Sequence, residues 1–130
     1  MIVGLGTDIV STERIEKILN RSPAQFIDRV CLENEKQYLQ TSGRDITAKL
    51  SKIWAVKEAA AKALGTGFAQ GVKFSDIELR HDPSGKPEIL FYGKALEILE
   101  QRIGGKGFNV VVSLSDDKPF AQAVVIIEKI

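Results

Sequence analysis

One cysteine, one histidine and a nearly balanced charge remove several functional classes from this chain before any motif is considered. Cys31 has no second cysteine for an intrachain disulfide, which suits a reducing compartment and a small, partly buried side chain rather than a nucleophile. His81 stands alone, so a histidine-based metal cluster is excluded, and a Ser-His-Asp relay would rest on a single residue at the edge of a turn. A formal net charge of +1 leaves no global field to draw in nucleic acid or an anionic membrane. The opening Met1-Ile-Val-Gly-Leu-Gly-Thr-Asp8 has neither a basic leader nor a long apolar run, which predicts a cytoplasmic domain without signal peptide or membrane span. Linkers, low-complexity tracts and internal repeats are missing as well. The 130 residues, 44% hydrophobic and 27% charged, suit one domain over residues 1–130 with a real core.

The glycine motifs are also incomplete. Gly4-Leu-Gly6 lacks the third glycine of a dinucleotide fingerprint. Ser84-Gly-Lys86 lacks the upstream glycine of a phosphate-binding loop, and Pro87 follows where a helix should begin. With these options gone, the inorganic chemistry left is a hard cation on oxygen ligands: Mg²⁺ held by one or two carboxylates and substrate phosphates.

What is present is a regular succession of elements. Ile2 to Ile9 reads as a strand whose glycines let another segment approach closely. Ser11 or Thr12 is placed to cap a helix carrying Ile15, Ile18 and Leu19 on its apolar side, and Ser22-Pro23 ends it. Ala24 to Val30 and Glu33 to Leu39 read as short helices. A long helix runs from Asp45 or Thr47 to Gly65. Then come a strand from Phe74 to Arg80, a turn over Asp82–Pro87, a strand from Glu88 to Tyr92, a helix from Lys94 to Ile103, and a hairpin of Phe108–Ser115 and Phe120–Glu128. Helices crowd the first half and hairpins the second, which predicts an α+β fold with the long helix packed on a mainly antiparallel sheet. Val124-Val-Ile-Ile127 does not alternate, as expected of a strand covered on both faces.

The densest information lies in Trp54-Ala-Val-Lys-Glu58-Ala-Ala-Ala-Lys62-Ala-Leu-Gly-Thr-Gly67. Strong helix formers run into a glycine cap, and Trp54, Glu58 and Lys62 fall on one helical face. Alone, Glu58 and Lys62 read first as a routine i, i+4 ion pair, and only second as neighbours that hold a cation and a phosphate. Asp8, at the end of the first strand, reads alone as a turn residue or helix cap.

Gly6-Thr-Asp8-Ile9, the Trp54–Gly67 segment, Gly85-Lys-Pro87 and Val112-Ser-Leu-Ser115 occur in that order. Together they resemble the signatures of the bacterial holo-acyl-carrier-protein synthases, small 4′-phosphopantetheinyl transferases, over residues 2 to about 128. The resemblance implies transfer of phosphopantetheine from coenzyme A to a serine of apo-acyl carrier protein, releasing adenosine 3′,5′-bisphosphate. It implies Asp8 and Glu58 as ligands of Mg²⁺ (or Mn²⁺), and Lys62 as the phosphate-neutralising cation of the catalytic set. The proton acceptor would be Glu58 or a water on the metal. Coenzyme A would meet Lys52, Lys62, Gly65, Gly85, Pro87 and Ser113. Arg14, Ile18, Arg21, Phe26, Arg29 and Trp54 would dock the carrier protein, and the assembly would be a homotrimer with clefts between subunits. A Mg²⁺-dependent nucleotide-pyrophosphate hydrolase and a non-catalytic carrier-protein-binding module are the rival readings. Two positions depart from the family pattern: Ile53 stands for an arginine, and Asp116 for a histidine. An aspartate repels a 3′-phosphate, so Lys49, Lys52 or Lys118 would have to hold it instead.

Overall fold

The computed structural model describes residues 1–41 and 45–130. Strand β1 (Ile2–Ser11) leads into helices α1 (Thr12–Arg21), α2 (Pro23–Val30), α3 (Glu33–Gln40) and the long α4 (Ile46–Leu64). A single 3₁₀ turn at Phe74–Asp76 precedes β2 (Ile77–His81) and β3 (Pro87–Phe91), and α5 (Gly93–Ile103) separates these from β4 (Phe108–Asp117) and β5 (Phe120–Lys129). The α+β class expected from the sequence is the one found, with every strand pair antiparallel. The strands form two sheets, β1-β5-β4 and β2-β3.

Helix α4 is the axis of the molecule because it is apolar nearly all round. Leu50, Ile53, Val56, Ala59, Ala60 and Leu64 are all buried, as expected of a helix enclosed by its neighbours. Asp45 caps it by accepting from the Thr47 N–H at 3.0 Å, and Gly65 closes it with φ of 86°. Strand β1 lies directly on it. A Cβ on Gly6 would sit 1.8 Å from the Ala59 carbonyl oxygen, and one on Gly4 would sit 2.1 Å from that of Ala63. Only glycine permits this approach, which confirms the reading of the two glycines.

Several boundaries differ from expectation. Strand β1 continues to Ser11 because pairing with β5 runs on to Ser11 opposite Phe120. Ser11 occupies the cap position of α1, yet neither its side chain nor that of Thr12 makes a capping bond. The Phe74 strand begins only at Ile77, since Phe74–Asp76 coils into the 3₁₀ turn. Strand β5 does alternate: Ala121, Ala123, Val125 and Ile127 are buried against α4, while Val124 and Ile126 are half-exposed. In the single chain the outer sheet face is therefore open, and Leu5, Ile9 and Val111 lie 64%, 65% and 47% exposed on it.

Candidate active site

Alternation along β1 points Gly4, Gly6 and Asp8 toward α4 and leaves Leu5, Thr7 and Ile9 on the outer face. Asp8 thereby faces the side of α4 that bears Glu58 and Lys62. Lys62 Nζ donates to Asp8 Oδ1 and to the Thr7 carbonyl, both at 3.1 Å. The i, i+4 pair suggested by the sequence is thus not the one formed, because Lys62 turns to Asp8 instead of Glu58. Burial first, and then the Asp8 charge, push the Glu58 carboxyl above its usual pKa of 4.5, against the opposing pull of Lys62 and Arg14. Two carboxylates thus compete for one ammonium.

Among the described residues no three His, Cys, Asp or Glu side chains cluster as a ready-made metal site. Asp8 and Glu58 offer hard oxygen atoms in a field that disfavours a second negative charge. This donor set fits Mg²⁺ or Mn²⁺ completed by substrate oxygens.

A cleft of about 680 Å³ opens where α1, α3, α4 and the β4–β5 turn meet. It is lined by Thr12, Glu16, Tyr38, Thr41, Asp45, Thr47, Ala48, Lys49, Lys52, Asp116 and Lys118. Lys52 pairs with Asp116 at 3.3 Å. The Lys49 ammonium already donates to the Tyr38 carbonyl at 3.2 Å, the Thr41 carbonyl and the Thr41 hydroxyl, so it has little left for a phosphate. Thr12 Oγ1 is buried without a partner at the cleft wall. Sequence reasoning missed Thr12, Glu16 and Tyr38, which line one cleft because α1 and α3 pack beside α4.

The expected docking residues separate into two groups. Arg14 sits over the Trp54 ring at 5.8 Å and Arg29 over Phe74 at 5.9 Å. Trp54 packs between Phe26 and Phe74, with ring centroids at 5.8 and 5.0 Å. Arg21 is exposed on α1 and Ile18 is half-buried. Phe26, expected as a contact, is only 6% exposed. It supports Trp54 from below rather than presenting a surface.

The remaining predicted contacts lie apart from Asp8. Gly65 is exposed beyond α4, where the Arg102 guanidinium caps the Ala63 and Leu64 carbonyls. Gly85 lies in the β2–β3 turn, and Pro87 lines a smaller groove against β4. Ser113 is exposed on the outer sheet face, opposite α4. Cys31 is 6% exposed, and burial, reinforced by Glu35, pushes its thiol up to about 12. It is no nucleophile. His81 stacks on Tyr38 at 5.0 Å.

The sequence pattern of the 4′-phosphopantetheinyl transferase superfamily matches residues 4–118, and the chain belongs to that superfamily. It is 45% identical over 132 residues to the holo-[acyl-carrier-protein] synthase of Gluconobacter oxydans, covering 100% of this chain and 84% of the relative. Within the superfamily it groups with the holo-[acyl-carrier-protein] synthases. The crystal structure of that synthase from Neisseria meningitidis superposes with a TM-score of 0.84 at 39% identity, covering 99% of this chain and 100% of that one. The Bacillus anthracis enzyme, in complex with CoA (3′,5′-ADP), gives 0.80 at 36% identity, with 100% and 99% covered.

Proposed function

We propose that the chain transfers 4′-phosphopantetheine from coenzyme A to a serine of apo-acyl carrier protein. The observation that carries this reading is the convergence of Asp8, Glu58 and Lys62, with Lys62 and Asp8 at 3.1 Å and the Glu58 carboxyl raised beside them. The reaction breaks the bond between the β-phosphorus and the bridging oxygen of coenzyme A. The serine oxygen takes its place, and adenosine 3′,5′-bisphosphate leaves. Such a transfer relies on positioning and charge neutralisation more than on a covalent nucleophile. Asp8 and Glu58 are the residues that would hold Mg²⁺, which supplies charge neutralisation for the pyrophosphate when bound. Lys62, half-exposed, turns its ammonium from Asp8 to a phosphate oxygen and stabilises the departing charge. The proton of the serine would pass to Glu58 or to a water on the metal.

The cleft beside α4 suits the nucleotide end of coenzyme A, with Lys52 released from Asp116 to meet the 3′-phosphate. Arg14 over Trp54 and Arg29 over Phe74, with Arg21 exposed further along α1, offer cations beside an aromatic row, a surface fitted to an acidic carrier-protein helix. The open face bearing Leu5, Ile9 and Val111 supports self-assembly, and the resemblance to the synthases implies three copies. In such an assembly Gly85, Pro87 and Ser113, which lie away from Asp8 in one chain, would reach the site of a neighbour.

Incubating the protein with apo-acyl carrier protein, coenzyme A and Mg²⁺, then weighing the carrier, tests the function. The expected result is a gain of one phosphopantetheine, abolished by Glu58→Gln with the fold intact. Cleaved coenzyme A with an unchanged carrier indicates a pyrophosphate hydrolase, and a stable complex without turnover indicates a binding module.

A further inference from the structure

Glu35 and Lys57 form an ion pair wholly inside the protein, 1% and 0% exposed, and the transfer chemistry calls on neither. Lys57 Nζ donates to Glu35 Oε1 at 2.7 Å, to the Val30 carbonyl at 2.5 Å and to the Phe74 carbonyl at 3.1 Å. All three of its protons are used. Glu35 in turn accepts from the Leu32 N–H at 2.8 Å and the Leu79 N–H at 2.9 Å. The end of α2, the start of α3 and the 3₁₀ turn therefore meet at one atom of α4, and β2 joins them through Glu35.

We propose that this pair is a positioning device that fixes the rotation of α4 about its own axis, so that Glu58 and Lys62 face Asp8. The inference rests on the reading of Asp8 and Glu58 as a cation site. A buried ion pair is weak evidence for stability, since apolar side chains of similar volume often hold a core as well or better. Geometry distinguishes the two. An apolar residue packs acceptably over a range of helix rotations, whereas an ammonium with three fixed acceptors accepts one.

The placement on α4 fits that role. At roughly 100° per residue, Lys57 lies to one side of Glu58 and Ala59 to the other. Ala59 is where the Gly6 backbone touches the helix. The metal-facing side of α4 is thus held between two anchors, one polar and one steric. A turn of about 20° would swing a carboxylate carried about 6 Å from the helix axis by about 2 Å, enough to break a shared cation site.

The test compares the native protein with a Lys57→Met/Glu35→Gln double variant, which removes both charges while keeping bulk and an acceptor for a backbone N–H. Mn²⁺ binding is followed by electron paramagnetic resonance with coenzyme A present and carrier protein absent, so turnover contributes nothing. The expected result is a folded variant that binds Mn²⁺ about tenfold more weakly and loses kcat to a similar degree, with KM for the carrier protein changed less than about twofold. Native Mn²⁺ affinity and kcat in the folded double variant would overturn the proposal, as would a raised KM with kcat intact. Should the double variant fail to fold, Glu35→Gln alone leaves Lys57 on its two carbonyls. It is expected to weaken Mn²⁺ binding several-fold, and unchanged binding overturns the proposal. A native protein that neither binds Mn²⁺ nor transfers overturns the underlying reading as well, whereas native binding matched by the variants overturns this inference alone.

Discussion

Replacing Gly6 with alanine adds one methyl group where β1 lies against α4, the contact that sets Asp8 beside Lys62. That Cβ would stand 1.8 Å from the Ala59 carbonyl oxygen and 2.7 Å from the Ala63 nitrogen. Both are helix backbone atoms, so no flexible side-chain tip can move aside. Carbon–oxygen contacts relax near 3.3 Å, which requires β1 to retreat from α4 by roughly 1.5 Å. The strand is not free to do so, because Gly6 pairs with Val125 in the middle of the β1–β5 ladder. Overpacking of this kind costs about 3 kcal/mol, the upper end of the usual range. For a chain of this size that lowers Tm by roughly 10–15 °C. The same retreat would stretch the 3.1 Å contact between Lys62 and Asp8 past ion-pair distance. A displacement of about 1 Å in a positioned site reduces turnover on the order of a hundredfold. Calorimetry gives the first quantity, and carrier-protein mass gain below both melting temperatures gives the second. Gly105→Ala is the control, since a Cβ there meets nothing within 4 Å. If Gly6→Ala melted and turned over like the native protein, the steric account of the β1–α4 contact would be wrong.

Four further outcomes follow from particular side chains. Asp116→Asn frees Lys52 from its 3.3 Å partner, and is expected to tighten coenzyme A binding up to about fivefold without changing dephospho-coenzyme A, measured by calorimetric titration. Lys52→Ala is expected to abolish the preference between the two ligands. Leu5→Glu places a charge on the open sheet face and is expected to leave a folded but dissociated chain by analytical ultracentrifugation. Burial pushes the Glu78 carboxyl up, but hydrogen bonds from Tyr92 and Asn34 and the charge of Arg80 outweigh it and hold the pKa below 4.5. A depressed carboxylate stabilises the fold above its unfolded pKa and loses that contribution as pH falls through the folded one. Tyr92→Phe, which deletes the 2.6 Å bond, should therefore cost about 1–2 kcal/mol at pH 7 and less at pH 3, read as a narrowing gap in Tm.

Local signals carried most of the architecture into the sequence. Asp45 and Gly65 bracket α4, Gly104 closes α5 with φ of 73°, and the turn residues of both hairpins lie between paired strands. Asp8, Glu58 and Lys62 were legible as a group through their order and spacing within the family signature. Their pairing was not, because the choice of Lys62 between Glu58 and Asp8 depends on how closely β1 approaches. Glu35 and Lys57 escaped notice for a similar reason: they are 22 residues apart, and each looks like an ordinary surface charge until the helices pack. A lysine set among Ala55, Val56, Ala59 and Ala60 was the available signal. The burial of Phe26 was not legible, because an aromatic residue beside exposed arginines reads the same whether it lies on the surface or beneath it. The apolar run in β5 concealed its own alternation, since residues suited to a core also occupy the outward positions.

Strand β1 carries two messages on alternate residues. Its even positions set the distance to α4 and aim Asp8, while its odd positions present Leu5 and Ile9 to the outside. Substitutions can tune either message separately, but the reading frame of the strand is common to both. Deleting one residue before Asp8 would turn the carboxylate outward and drive an odd-numbered side chain into the helix backbone. The contact with α4 and the outer surface can therefore drift independently by substitution, yet a change in strand length damages both at once.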